Sequence, residues 1–364
     1  MRTQVPLAAF TTLGLGGPAA TLAEPAHEAA LVAAVRDADE RGEPVFVLGG
    51  GSNVVISDAG FPGIVVRVAT RGLSFAPADP GAQAMTVAAG ENWDDVVAHC
   101  VAAELAGLEC LSGIPGLAGA TPIQNVGAYG QEVADTITSV RAYDRERRHV
   151  AEIPAAACRF SYRTSSFKRT PFTPGSPTGR FVILAVTFRL TPGPRSAPVR
   201  YPELATELGV TVGERVPLGE ARAAVLKLRA RKGMVLDAGD PDTRSAGSFF
   251  TNPILTEAEF AGVTRRAQRA QGPDVRVPQF PGRDGHVKVP AAWLIEHAGF
   301  GKGHAGPGHA GPARISSKHT LALINPGGAS TSSLLALAGQ IRDGVRDAFG
   351  VTLVIEPVLV GTSP

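Results

Sequence analysis

Cysteine is scarce in this chain of 364 residues, with only Cys100, Cys110 and Cys158 present and no CxxC spacing among them. An odd number of unclustered cysteines argues against a disulfide framework and against a zinc site. The cysteine content therefore fits a reducing compartment, and we expect a cytoplasmic protein.

The sequence also lacks long apolar runs and an excess of charge of one sign. No apolar run approaches the ~18 residues that a membrane helix needs, and glycines at 14, 16 and 17 interrupt the segment where a signal sequence would lie. The 35 Lys and Arg residues nearly balance the 33 Asp and Glu residues, which excludes the broad positive field of a nucleic-acid binder. We expect a soluble protein with no nucleic-acid partner and no membrane insertion, present as a monomer or weak dimer.

Glycine and proline are abundant, and they concentrate in blocks. The first block, Gly49-Gly50-Gly51-Ser52-Asn53, directly follows a predicted buried strand over 44–48. Three glycines after a strand let the backbone bend tightly and present consecutive N–H groups to an anion. This block itself lacks the GxGxxG spacing of the Rossmann fingerprint, and the P-loop pattern GxxxxGK[ST] does not occur in the sequence. A dinucleotide bound by a fold other than the Rossmann fold remains open.

The second block runs from 113 to 130 and contains five glycines and two prolines. This composition predicts neither helix nor strand, and so long a loop in a compact protein is usually functional or disordered. Its apolar residues and the pair Gln124-Asn125 favour order. Backbone amides and these two side-chain amides could together recognise a flat, polar ring.

Hydrophobic periodicity predicts a mixed α and β chain. Helices are expected over 27–41, 93–101, 218–232, 257–271, 291–297 and a closing segment around 334–345, and strands over 64–68, 85–89, 137–143, 149–153, 181–190 and 351–355. A compositional shift near 229–232 suggests a domain boundary. The sequence GHAGP occurs at 303–307 and again at 308–312; we interpret it as a duplicated surface loop rather than a metal site, and we expect no metal.

Seven motifs occur in an order that is similar to a known family. They are GGGSN at 49–53, the block at 113–130 with PIQNVGAYG, YRTSSFK at 162–168, AGSFFTNP at 246–253, AWLI at 292–295, HTLALIN at 319–325 and IEP at 355–357. Together they resemble the bacterial UDP-N-acetylenolpyruvoylglucosamine reductases, also called UDP-N-acetylmuramate dehydrogenases. Tyr201 resembles the tyrosine that is typical of the tyrosine-loop subclass of this family.

The resemblance implies an α+β architecture. It would consist of a two-lobed FAD-binding fold of the vanillyl-alcohol-oxidase/PCMH type and a separate α+β substrate-binding domain. The first lobe would comprise 1–70 and 334–364, the second lobe 71–228, and the substrate domain 229–333. FAD would be bound non-covalently, and by position its contacts would be Leu48, Gly49, Gly50, Gly51, Ser52, Asn53, Pro115, Gly116, Gly119, Ala120, Gln124, Asn125, Gly127, Ala128 and Tyr129.

The resemblance also implies the reaction. The family uses NADPH as co-substrate to reduce the enolpyruvyl ether of UDP-N-acetylglucosamine enolpyruvate to UDP-N-acetylmuramate during peptidoglycan precursor synthesis. Hydride from reduced FAD goes to the β-carbon, so negative charge develops on the α-carbon and its carboxylate. Arg163 matches the arginine that holds the carboxylate, Ser248 the serine that protonates the α-carbon, and Glu356 the carboxyl group that stabilises the enol.

Four further residues match substrate contacts of the family: Tyr201, Lys232, Asn252 and His319. Tyr201 would close over the UDP diphosphate, and Lys232 and Asn252 would bind the diphosphate and sugar. His319 stands where some members have Gln, and Val358 replaces an acidic residue that is often found after Glu-Pro. Because no second dinucleotide fold is evident, NADPH would share the substrate's site, which implies ping-pong kinetics.

Other interpretations stay open at this point. The chain could be another FAD-dependent oxidase of the same fold, often with covalently attached flavin, or a non-catalytic flavin-binding module. Taken singly, Arg163 could be a surface ion-pair residue, Ser248 a helix or turn cap, and Glu356 a charge at the end of a strand. The joint presence of all three favours the reductase.

Overall fold

The structure, a computed structural model, describes residues 1–173, 176–282, 284–305 and 312–363. The chain forms two compact units. The first unit comprises Met1–Pro6, Pro18–Gly51 and Gly60–Leu236, and the second comprises Leu7–Gly17, Ser52–Ala59 and Asp237–Pro364. The three glycines of GGGSN therefore belong to the first unit, and Ser52 and Asn53 belong to the second.

A mixed sheet near the N-terminus positions the first glycine block. Its strands are, in spatial order, Arg2–Pro6, Pro18–Ala23, Phe61–Arg67 and Val45–Leu48; the first pair is antiparallel and the others are parallel. Helix α1 (Glu28–Glu40) buries Leu31, Val35 and Ala38 in the same apolar cluster as strand residues of this sheet. Because parallel strands need a crossover, α1 returns the chain to the sheet, where Val45–Leu48 leads into Gly49.

An antiparallel sheet forms the larger part of the first unit. Its strands are, in order, His149–Pro154, Ile137–Asp144, Phe181–Pro192, Gln83–Ala88 and Leu73–Pro77, and Leu105–Ala106 pairs with the end of the central strand. Helix α2 (Trp93–Ala102) begins at Asn92, whose side chain accepts the N–H groups of the next turn. Its fully buried Trp93 packs against Phe188 of the central strand, with 5.7 Å between the ring centroids.

The rest of the first unit carries short elements and one helix pair. The short elements are helices α3 (Ala155–Cys158) and α4 (Ser166–Arg169), the hairpin Gly127–Ala128 and Gln131–Glu132, and 3₁₀ turns at Glu109–Leu111, Ala118–Ala120 and Val133–Asp135. Helices α5 (Pro202–Leu208) and α6 (Leu218–Arg231) share an apolar cluster. Leu204 of α5 and Val225 of α6 are its most buried members, so the two helices are held against each other.

The second unit is built around the long helix α9 (Thr331–Phe349), with α7 (Glu257–Gln271) and α8 (Ala291–His297) packed beside it. Capping boxes at Thr256 and Ser330 fix the starts of α7 and α9. The remaining elements are the 3₁₀ turns Leu7–Phe10 and Pro241–Thr243, a sheet of Ser245–Ser248, Ala322–Ile324 and Arg314–Ile315, a sheet of Ile254–Leu255, Val287–Lys288 and Phe280–Pro281, and the parallel pair Val54–Ile56 and Val358–Val360.

The periodicity predicts the helices and most strands correctly, but the predicted strand over 351–355 is wrong. Side chains alternate there between buried and exposed, yet the backbone makes only an isolated bridge, between Ile355 and Phe250. The last strand begins at Val358, after Pro357, which has no N–H to donate. Glu356 therefore lies before the last strand and not at its end.

The division into two compact units does not correspond one to one with the three lobes that are expected from the sequence. The chain passes from the first unit to the second after Leu236, close to the compositional shift at 229–232, and residues 334–363 are grouped with the second unit. The division into three lobes remains a prediction. The GHAGP repeat lies largely outside the described residues, which stop at 305 and resume at 312.

Candidate active site

The glycines of the two blocks lie against each other in the first unit. A Cβ atom on Gly50 would be 2.6 Å from Cα of Gly116, whereas one on Gly49 would be 3.8 Å from Cβ of Ala120. On the far side of the loop, a Cβ atom on Gly119 would be 2.4 Å from Cβ of Ala89. The blocks thus approach each other backbone to backbone, which only glycine permits at Gly50.

Asn125 holds the loop over 113–130 in shape from inside. It is fully buried, with a left-handed φ of 49°. Its Nδ2 donates to Glu132 Oε2 at 2.7 Å and to the carbonyl oxygen of Ser161 at 3.2 Å, and its Oδ1 accepts the N–H of Ala134 at 3.2 Å. The hydrogen bonds of this side chain are thus made within the protein, and its contact with a cofactor stays a prediction.

The residues of the two blocks fit a dinucleotide cofactor. Neither 49–53 nor 113–130 contains an acidic residue that would repel a phosphate, and the glycines leave backbone N–H groups without covering side chains. Gly51 and Gly116 have φ values of 65° and 121°, so the chain bends sharply at both. Leu48 is buried at the end of its strand, and Gln124, Ala128 and Tyr129 are half-buried on the loop.

Arg163 is placed beside the same loop by a tight turn. Ser161 and Thr164 exchange backbone hydrogen bonds of 3.0 and 3.1 Å, and Arg163 between them has a left-handed φ of 52°. Its Nη2 donates to the carbonyl oxygen of Gly127 at 3.1 Å. A left-handed backbone at a non-glycine residue costs about 1–2 kcal/mol, so the surrounding contacts must hold the guanidinium here.

Tyr129, Tyr201 and Lys232 come together next to this turn. The two tyrosine rings meet edge to face, with centroids 5.6 Å apart, and Lys232 Nζ lies 5.7 Å from the Tyr129 centroid. Burial raises the pKa of Tyr129 to about 12, while the nearby Arg229 charge opposes that shift. Lys232 Nζ also pairs with Glu203 Oε2 at 2.6 Å.

Arg229 is a candidate site residue that the sequence interpretation missed. Its Nη2 donates to the carbonyl oxygen of Met234 at 2.8 Å, whereas its Nε is buried with no hydrogen-bond partner among the described residues. Burial lowers the pKa of Arg229 to about 10, although the charges of Tyr129 and Asp94 oppose this. The signal available in the sequence was its position three residues before Lys232, which places both on one face of the α6 helix end.

In the second unit, Ser248 and Glu356 lie on neighbouring backbone segments. The N–H of Glu356 donates to the carbonyl oxygen of Phe249 at 2.9 Å, and Phe250 bridges Ile355. Phe249 and Phe250 are buried in the core, so they anchor the segment that presents Ser248. Gly247, with a φ of 72°, lies in the irregular stretch of the strand between Ser245 and Ser248, and Ser248 pairs with Ala322. Glu356 is buried, with 8% of the residue exposed.

The other predicted residues of the second unit have local partners. The backbone carbonyl oxygen of Asn53 accepts a hydrogen bond from the N–H of Val358 at 3.0 Å. Val358 is two residues after Glu356 in the sequence. Asn252 Oδ1 accepts the N–H of Ala291 at 2.9 Å and so caps α8. His319 is half-buried in the turn before Ala322–Ile324, where its N–H donates to Ser316 Oγ at 3.2 Å. Ser52 is half-buried beside Asn53.

Comparison with known proteins decides the family. The sequence profile of the UDP-N-acetylenolpyruvoylglucosamine reductase C-terminal domain matches residues 240–360, and that of an FAD binding domain matches 19–150. The UDP-N-acetylenolpyruvoylglucosamine reductase of Thermobifida fusca is 53% identical over 360 residues, covering 99% of this chain and 98% of its own. That of Salinispora arenicola is 57% identical over 355 residues, covering 97% and 94%. The chain belongs to the UDP-N-acetylenolpyruvoylglucosamine reductase family.

The fold agrees with this family. A crystal structure of the UDP-N-acetylenolpyruvylglucosamine reductase from Thermus caldophilus superposes with a TM-score of 0.61 at 24% identity, covering 98% of this chain and 97% of the other. The expected family and FAD-binding α+β fold are thereby confirmed. Within the described residues, no helix is both long and apolar enough to cross a membrane, and no group of three or more His, Cys, Asp or Glu side chains could hold a metal ion.

Proposed function

We propose that this reductase-family chain reduces the enolpyruvyl ether of UDP-N-acetylglucosamine enolpyruvate to UDP-N-acetylmuramate, with NADPH as the reductant. The observation that supports the proposal is the sequence identity of 53% and 57% to reductases of this name over nearly the whole chain. The chain also contains Arg163, Ser248 and Glu356 in ordered local structure. The three residues supply a fixed cation, a proton donor and a carboxyl group, which are the types the reduction needs.

Arg163 binds the substrate's carboxylate in this proposal. A guanidinium stays protonated and offers a planar fork of donors that matches a carboxylate. Its turn and its bond to Gly127 hold it in place before the reaction, so little reorganisation is needed as negative charge grows on the enolate. Because the planar fork is what matters, lysine is not an equivalent replacement.

Ser248 and Glu356 complete the chemistry at the α-carbon. The Ser248 hydroxyl donates its proton to the carbanion, and a site that excludes water makes this transfer feasible although a hydroxyl is a weak acid. Glu356 stabilises the enol. The backbone hydrogen bond between Glu356 and Phe249 links the two neighbouring segments that carry these groups.

The two glycine blocks would hold FAD. Leu48, Gly49, Gly50 and Gly51 with Ser52 and Asn53 would face its phosphates, and Pro115, Gly116, Gly119, Ala120, Gln124, Asn125, Gly127, Ala128 and Tyr129 would complete the cradle. When bound and reduced, FAD supplies hydride to the substrate's β-carbon. The rest of the substrate would be held by Tyr201, Lys232, Asn252 and His319, of which Lys232 would bind the diphosphate.

The direct test is product formation. The purified FAD-loaded protein is incubated with NADPH and UDP-N-acetylglucosamine enolpyruvate, and the sugar nucleotide is weighed by mass spectrometry. We expect a product heavier than the substrate by two hydrogen atoms, formed one for one with NADPH consumed. NADPH oxidation with oxygen uptake and unchanged sugar nucleotide would instead favour an oxidase, and flavin that stays with the protein after acid precipitation would favour a covalent one.

A further inference from the structure

Glu203 pairs with the lysine that the proposed function assigns to the diphosphate. Lys232 Nζ lies 2.6 Å from Glu203 Oε2, and the two side chains are 34% and 39% exposed. The pair is therefore open to water and to ligands. Tyr201, directly before α5, lies in the same turn as Glu203, and the Glu203 charge contributes to the raised pKa of Tyr201 after burial.

The pair is fixed by the packing of the two helices that carry it. Leu204, next to Glu203, is fully buried in the cluster that also contains Leu228 of α6. Lys232 directly follows α6 as its C-terminal capping residue, and Tyr129 packs against the same cluster. The backbone of both partners is thus held in place, and only the side chains need to move for the ion pair to open.

We propose that Glu203 is a specificity-determining residue that competes with the substrate's diphosphate for Lys232 and is displaced when the diphosphate binds. This inference rests on the proposed function of Lys232. A carboxylate and a phosphate cannot both sit close to one ammonium without repelling each other, because both are anions. Ligands without a phosphate at this position leave the pair closed, whereas a diphosphate opens it.

The energetic balance suits such an exchange. Ion pairs that are about one-third exposed are weak, since water screens them and long side chains lose freedom in forming them. A diphosphate carries more charge than one carboxylate and can take the lysine from it. Removing the carboxylate should therefore tighten diphosphate binding only moderately, by about two- to fivefold.

The chain offers a matched control on the same helix. Glu207 lies one turn after Glu203 and pairs across to α6 in the same way, with Lys227 Nζ at 2.6 Å and Arg231 Nη1 at 2.7 Å. Neither of its partners is assigned to substrate. Glu207→Gln removes one negative charge and its two ion pairs from α5 but leaves Lys232 paired with Glu203.

The experiment measures UDP binding to the FAD-loaded protein by isothermal titration calorimetry, for the wild type, E203Q, E203A, E207Q, K232M and the double variant E203Q/K232M. We expect E203Q and E203A to bind UDP about two- to fivefold more tightly, E207Q to match the wild type, and K232M to bind more weakly. In the K232M background, E203Q should have no further effect. The visible spectrum of bound FAD checks that each variant is folded.

The two possible failures are distinguishable. If K232M weakens UDP binding while E203Q equals the wild type or binds more weakly, the competition is refuted but the diphosphate role of Lys232 stands. If the wild type and K232M bind UDP equally, the role of Lys232 in the proposed function fails, and the competition fails with it.

Discussion

The backbone N–H of Glu356 donates to the carbonyl oxygen of Phe249 at 2.9 Å. This bond connects the segment before the last strand with the residue directly after Ser248. Since Phe249 is fully buried, the proposed proton donor and the proposed enol-stabilising carboxyl group are both attached to the core of the second unit. The backbone positions of Ser248 and Glu356 are therefore set by the packing of the second unit.

Gly50 is predicted to be indispensable for the contact between the glycine blocks. Gly50→Ala would place Cβ 2.6 Å from Cα of Gly116, and overpacking of this kind typically costs about 1–3 kcal/mol. We expect a lower Tm and loss of FAD on gel filtration, measured by differential scanning fluorimetry and the visible spectrum.

Gly49→Ala is the matched control for that prediction. Its Cβ would lie 3.8 Å from Cβ of Ala120, an ordinary contact distance. This variant should keep its Tm within about 1 °C of the wild type, because a surface-like change without a clash usually alters stability by less than about 0.5 kcal/mol. Equal damage from both substitutions would show that the close approach of Gly50 is not what matters.

Asp94 should stabilise the folded protein at neutral pH and should lose this effect at acidic pH. Burial alone would raise the pKa of Asp94, but the hydrogen bonds from Arg222 and from the N–H of Gly113 outweigh burial and lower it from its ordinary value of 3.8. The stabilisation is present above the unfolded pKa and is lost as pH falls through the lower folded pKa. Asp94→Asn should thus cost about 1–2 kcal/mol at pH 7, and less at pH 3.

Chemical denaturation of the wild type and D94N at pH 7 and pH 3 measures this difference. Asp95→Asn serves as the control, because Asp95 lies in the same first turn of α2. A gap between wild type and D94N that stays constant across this pH range, or an equal loss in D95N, would contradict the account.

The three cysteines are predicted to be inert in the folded protein. All are buried, and burial raises the pKa of Cys100 and Cys110 to about 12 and that of Cys158 to about 11. Since the thiolate is the reactive form, iodoacetamide at pH 8 should label the native protein negligibly and the denatured protein three times per chain, as counted by intact mass spectrometry. Rapid labelling of a native cysteine would show that its burial is not maintained.

Steady-state kinetics test whether NADPH and the sugar nucleotide share one site. Shared occupancy predicts that NADP⁺ leaves before the enolpyruvyl substrate binds, which gives a ping-pong pattern. Double-reciprocal plots at several fixed NADPH concentrations should then be parallel. Converging lines would show that both substrates are bound together.

The local sequence pattern predicted most of the helices and strands, because helical periodicity, capping residues and strand alternation depend only on residues that are close together in the sequence. The helix over 257–271 agrees with α7 at both ends. Contacts between residues that are distant in sequence could not be predicted in this way. Alternation over 351–355 does not reveal that only Ile355 pairs with another segment. Nothing near Asn125 in the sequence shows that its side chain donates a hydrogen bond to the carbonyl oxygen of Ser161. Arg229 escaped notice for the same reason, since its burial depends on the packing of α6.

The central claim is that Ser248 donates the proton to the α-carbon, and Ser248→Ala tests it most directly when the two half-reactions are followed separately by stopped-flow absorbance of the flavin. We predict that NADPH still bleaches the flavin at the wild-type rate, while reoxidation by UDP-N-acetylglucosamine enolpyruvate slows by at least about 100-fold, the lower range for loss of a general acid. Reoxidation at the wild-type rate would contradict the account.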